Sequence, residues 1–179
     1  GISVGRDYHK SETAWRTVVW DTMSRKFYGV DESATLLFSF DPKAGRDGEV
    51  RPLGQLAIPE LAGRREVPYA TLSLALGRDR KLYYGAAARE FDYSGSAGAA
   101  AAHLIRYDLK TGQTEDLGAM LLADGRRVLG TNAADTAPDG TIYLVGAIEV
   151  RPEAGKPREA AGRIGEVFYR LALLMYRPR

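Results

Sequence analysis

Three rounds of one four-strand pattern make this an all-β sequence. The first mark is a turn followed by a short apolar run and a tyrosine. It occurs as Lys26-Phe27-Tyr28, Lys81-Leu82-Tyr83 and Thr141-Ile142-Tyr143, with the tyrosines 55 and 60 positions apart. The second mark is the apolar strand after it: Leu36 to Phe40, His103 to Tyr107, and Leu173 to Tyr176. The third is the turn that closes that strand, Asp41-Pro42-Lys43-Ala44-Gly45 and Asp108-Leu109-Lys110-Thr111-Gly112. Proline presets φ in such a turn and glycine accepts a positive one.

Taken in order, residues 1–13 are polar and short, with Ile2-Ser3-Val4 as a brief edge strand. Trp15 to Trp20 is β-branched and aromatic and reads as a strand buried on both faces. A turn at Asp21–Arg25 leads into Lys26–Val30, a short loop follows, and Ala34–Phe40 is the third strand. Glu49–Leu53 is the fourth, and Pro52 suits it to an outer edge. The second unit repeats this with Ala70–Leu76, Arg80–Ala87, His103–Tyr107 and Gln113–Leu117. Its second and third strands are separated by the insertion Arg89–Ala101, which reads as a mobile loop. Leu53-Gly54 and Leu117-Gly118 end the two fourth strands alike. In the third unit Leu129–Asp135 is the least strand-like opening, Pro138-Asp139-Gly140 is a strong turn, and Thr141–Ile148 is the second strand. The insertion Glu149–Gly165 precedes Val167–Tyr176, after which Arg177-Pro178-Arg179 leaves the unit without a fourth strand.

Units of about fifty residues with four antiparallel strands each are the pattern of propeller blades. With its D-G-x-[IL]-Y, aromatic-Asp-x-x-[TA]-G and Leu-Gly elements, the chain resembles the broad superfamily of bacterial β-propellers with kelch-like or quinoprotein-like blades. The resemblance covers nearly the whole length, with units at 14–56, 68–122 and 129–179. It lacks the Gly-His and Trp-Asp marks of the Trp-Asp-repeat propellers at their proper places, since Trp20-Asp21 ends a first strand. The competing architecture is a sandwich of about eleven short strands. Propellers host enzymes and plain scaffolds alike, so the resemblance speaks to fold far more than to activity.

Composition narrows the partners. The formal charge is +2, from 25 Lys and Arg against 23 Asp and Glu. No basic run supplies the phosphate contacts that nucleic-acid binding needs, and Arg64-Arg65 and Arg126-Arg127 read as solvated loop charges. Cysteine is absent, which removes disulfides and thiolate metal sites. No apolar run is long enough for a transmembrane helix. The chain opens at Gly1 without a signal region, as expected of a processed product or a piece of a longer polypeptide. A periplasmic or secreted location is the expectation.

Chemistry-bearing motifs are missing. There is no P-loop, H-E-x-x-H or Rossmann glycine pattern, and no D-x-D-x-D spacing for calcium. No cofactor and no metal are expected. Function is instead expected on the face that carries the long insertions, because short turns occupy the other. Residues delivered there are Tyr8, His9, Lys10, Asp31, Glu32, Tyr69, Arg89, Glu90, Asn132 and Glu149, with Phe91, Asp92 and Tyr93 inside the insertion. His9, Tyr69 and Arg89 are the candidate catalytic set, because histidine titrates near neutrality. Tyr8, Asp31, Glu90, Tyr93, Asn132 and Glu149 are the candidate ligand contacts. His103 reads as structural. Two readings follow: a binding scaffold offering its loop face to a protein or carbohydrate, and part of an extracytoplasmic polysaccharide lyase or glycosidase.

Three units fall short of the roughly four to eight blades that close a propeller. The first and third units are therefore expected to expose apolar faces around Trp15, Val19, Leu171 and Leu173. Further blades from the same or another chain, or a second copy in a homo-oligomer, would cover them.

Overall fold

A computed structural model describes residues 15–31, 36–56, 67–70, 73–89, 101–151, 162–164 and 167–178; at 67–70, 87–89 and 164 it describes the backbone alone. The described residues form thirteen strands in three antiparallel sheets. The first sheet is β1 (Trp15–Asp21), β2 (Lys26–Asp31), β3 (Leu36–Asp41) and β4 (Glu49–Gln55), side by side in chain order. In the second, β5 (Val67–Ala70) and β6 (Ala75–Leu76) share the first-strand position, both pairing with β7 (Lys81–Arg89). Then come β8 (His103–Asp108) and β9 (Thr114–Ala119). The third sheet runs β10 (Val128–Thr136), β11 (Ile142–Glu149), β13 (Val167–Tyr176), β12 (Gly162–Ile164).

The strand registers show how closely the three sheets repeat. Phe27 pairs with Phe40, Leu82 with Tyr107 and Ile142 with Tyr176. Two residues along, Gly29 meets Phe38, Tyr84 meets Ile105 and Leu144 meets Leu174. Strand side chains alternate between faces, so these pairs line one face of each sheet. The intervening tyrosines Tyr28, Tyr83 and Tyr143 line the other, beginning the second strand of each sheet as the repeat predicts.

Packing follows from that alternation. Tyr28, Val30 and Leu37 of the first sheet form one core with Leu82, Tyr84, Ile105 and Tyr107 of the second. Tyr83 and Leu104, on the second sheet's far face, form another with Ile142 and Leu144 of the third. Polar bonds reinforce both seams. The Tyr107 hydroxyl donates to the Leu53 carbonyl at 3.4 Å across the first, and a buried Ser73–Thr131 hydrogen bond crosses the second. The Tyr83 hydroxyl also donates to Asp79 at 2.7 Å, tying the core to its turn. Burial raises that phenol's pKa, and the Asp79 carboxylate adds to the rise.

The Leu-Gly ends of the fourth strands are β-bulges. Register shifts fall between Leu37 and Phe38 opposite β4, and between His103 and Ile105 opposite β9. The extra residue turns Leu53 and Leu117 onto the two cores, while Gly54 and Gly118 take φ of 148° and 99°. No atom lies within 4 Å of a Cβ built on Gly118. Gly118→Ala is therefore expected to lose about 1–2 kcal/mol from backbone strain alone, read as a shift in urea midpoint at unchanged m.

Three expectations need correction. The third sheet has its fourth strand: β12, from the polar insertion, forms a hairpin with β13 and takes the outer position. Trp15–Asp21 is not buried on both faces, because Val18 and Trp20 are exposed. Val19 faces inward against the first core, so the outward apolar residues of β1 are its neighbours Val18 and Trp20. The opening of the third unit is a first strand as expected, the nine-residue β10, with register shifts at Leu129 and Asn132. Of the insertions expected to be mobile, 90–100 and 152–161 lie outside the described residues, as does Ile2–Val4.

Candidate functional site

Antiparallel order sends the short turns to one end of the three sheets and the strand ends that flank the insertions to the other. At the short-turn end each first-to-second-strand turn ends on a left-handed residue: Arg25 (φ 58°), Arg80 (φ 65°) and Gly140 (φ 87°). The turns at Gly77–Arg80 and Ala137–Gly140 close identically. The Gly77 and Ala137 amides donate to the Lys81 and Thr141 carbonyls, both at 2.8 Å. Lys26–Asp41 at 3.5 Å and Lys81–Asp108 at 4.0 Å repeat as ion pairs beside them.

Where the first strands β1, β6 and β10 converge, this end opens into a cleft of about 500 Å3. Val19, Leu76 and Pro138 give it apolar walls, and Asp21, Arg78, Arg80, Asp135 and Thr136 its polar groups. The Arg80 guanidinium reaches across from the second sheet to Asp21 on the first, at 2.5 and 2.7 Å. Burial alone would raise the Asp21 pKa. The Arg80 guanidinium, the Ser24 hydroxyl and the Met23 and Ser24 amides outweigh it and hold the carboxyl well below the usual range. Arg78 points the other way along the chain of turns, its stem 3.4 Å from the Cβ position of Gly140. It is exposed and has no ion pair or hydrogen bond among the described residues. Asp135 is exposed and accepts from the Thr136 amide at 2.7 Å. The Thr136 hydroxyl is buried with no partner among the described residues.

Among the described residues, none of the candidate site residues singled out from the sequence lines this cleft. Tyr8, His9, Lys10, Glu32, Glu90, Phe91, Asp92 and Tyr93 are outside the described residues. Tyr69 and Arg89 sit on adjacent strands at the insertion end, where Tyr69 pairs with Ala87 and Val67 with Arg89, two rungs apart. Asp31 is buried at the end of β2 and accepts from the Leu36 amide at 2.8 Å, closing the loop into β3. Asn132 is exposed at a register shift in β10. Glu149 clasps Arg127 at 2.8 and 3.1 Å, joining the start of β10 to the end of β11. The Arg127 guanidinium holds the Glu149 carboxyl below its usual range. Arg127 is thus a structural partner, not a solvated loop charge. His103 meets Asp116 at 2.7 Å between β8 and β9, consistent with a structural role.

Arg78, Arg80, Asp135 and Thr136 were not singled out, although one signal was present. The turn that reads Asp139-Gly140 in the third unit reads Asp79-Arg80 in the second. An arginine where glycine is the easier residue implies work for its side chain. Among the described residues no group of three His, Cys, Asp or Glu side chains could hold a metal ion, and no helix is long and apolar enough to cross a membrane. No protein-family model and no curated protein sequence matches the chain.

Proposed function

We propose that the chain is a segment of a β-propeller that acts as a binding scaffold, and that the cleft between β1, β6 and β10 is its ligand surface. The observation that carries this is Arg78, exposed at a cleft that is open to solvent and without an ion pair or hydrogen bond among the described residues. The neighbouring groups define the chemistry. Arg78 offers a guanidinium with no partner among the described residues, Asp135 offers an exposed carboxylate, and Leu76 and Pro138 offer apolar contact. An acidic carbohydrate matches all three: a carboxylate for Arg78, hydroxyls for Asp135, and apolar ring faces for the walls. Small-molecule sites commonly combine apolar lining with a few placed polar groups in this way.

The test is calorimetric titration with a glucuronate-containing oligosaccharide and a neutral glucose oligomer of the same length. The acidic oligomer is expected to bind and the neutral one to bind more weakly. Arg78→Ala is expected to weaken the acidic oligomer about tenfold, equivalent to about 1.4 kcal/mol. Asp135→Ala should weaken both oligomers. Equal binding of the two, unchanged by Arg78→Ala, or no binding of either, would overturn the reading.

A further inference from the structure

The two outer faces of the stack carry apolar residues at register positions that are buried inside it. Leu37 pairs with Val30, Leu104 with Gly85 and Leu173 with Val145, so the three leucines hold one position in successive sheets. Leu37 is 1% exposed and Leu104 5%, each covered by the next sheet, whereas Leu173 is 68% exposed. Met175, cross-strand from Tyr143, is exposed beside it.

The opposite end shows the complementary deficit. Trp20 pairs with Phe27 as Leu76 pairs with Leu82, yet Leu76 packs on the first core and Trp20 is 41% exposed. Val18 pairs with Gly29 as Ala134 pairs with Leu144, and Ala134 packs on the second core while Val18 is exposed. Phe38 and Phe40 are covered on that face by Trp15, whose ring lies 5.1 and 5.0 Å from theirs.

The chain therefore presents, at one end, the face that sheets one and two turn to their successors. At the other end it presents the face that sheets two and three turn to their predecessors. From this we infer that two copies join head to tail, the third sheet of each packing on the first sheet of the other. The occupant is a second copy because each seam pairs two faces the chain already packs together twice. Two such seams related by a two-fold axis leave no exposed end, and six sheets fall within the roughly four to eight that close a ring. Closure also completes the cleft, adding the β1, β6 and β10 of the second copy to its open side. The inference rests on the registers and does not depend on the ligand reading.

Sedimentation of the intact chain tests it. A dimer is expected. Leu173→Asp and Val18→Asp, on opposite outer faces, should each give a monomer with unchanged far-UV dichroism, since both side chains are exposed within one copy. Mixing the two variants should restore a dimer through the one undamaged seam, formed by the first sheet of one variant and the third sheet of the other. A monomer for the unaltered chain would overturn the inference and leave the faces to sheets of another polypeptide. A dimer broken by Leu173→Asp but not by Val18→Asp would overturn it too, because it would mean third sheet on third sheet. So would an open polymer.

Discussion

Leu37→Ala and Leu104→Ala are each expected to cost about 3 kcal/mol, while Leu173→Ala in the monomer should cost less than about 0.5 kcal/mol. The three substitutions remove the same atoms from the same register position, so the difference isolates what the neighbouring sheet contributes. At Leu37 and Leu104 the loss combines transfer of the missing methyl groups with a cavity that the packed seam cannot close. At Leu173, two-thirds exposed, neither applies. For a chain of this size the two buried substitutions should lower Tm by roughly 6–12 °C. Thermal unfolding at low protein concentration, where copies do not associate, makes the comparison. Equal losses at all three positions would mean that the sheets do not stack as the registers imply. Raising the concentration should bring out a cost at Leu173 as the seam between copies forms.

Much of this stack was legible because its repeat is written in local pattern. Turn, tyrosine and aromatic pair recur at strand spacing, and period-two alternation decides which of them face together. Other features were not local. The outer strand of the third sheet comes from Gly162–Ile164, three residues in a polar insertion, and only the return into Val167 gives it a partner. The Trp15–Asp21 run is apolar on both faces, which resembles a strand buried on both faces. Apolar residues record that a face is to be covered, not what covers it. The cleft was missed for a related reason. Arg80 and Asp21 are 59 residues apart, and Thr136 meets neither in sequence. They converge only because three first strands lie side by side, so attention to the long insertions pointed to the opposite end of the molecule.

Asp21→Asn is expected to cost about 2–3 kcal/mol at neutral pH, because it leaves the Arg80 guanidinium without the carboxylate it reaches across the first seam. The estimate is kept near the lower end because the Arg80 side chain is 34% exposed and water screens it. Arg80→Ala should cost at least as much, since Asp21 is 1% exposed and would be left without a cation. Arg80→Lys should recover only part of this, for an ammonium cannot make both bonds of the guanidinium fork. Backbone cost points the same way: a left-handed arginine lies about 1–2 kcal/mol above a glycine in that conformation, and the ion pair offsets this. The pH dependence has a definite sign. The folded-state pKa of Asp21 is depressed, so its contribution is fully present above the unfolded value of about 3.9 and is lost as pH falls below it. The stability gap between the unaltered chain and Asp21→Asn should hold constant from neutrality down to about pH 5 and narrow below about pH 4. Urea unfolding across that range decides it. A gap that stayed constant into acid would show that the Asp21 carboxylate does not stabilise this seam.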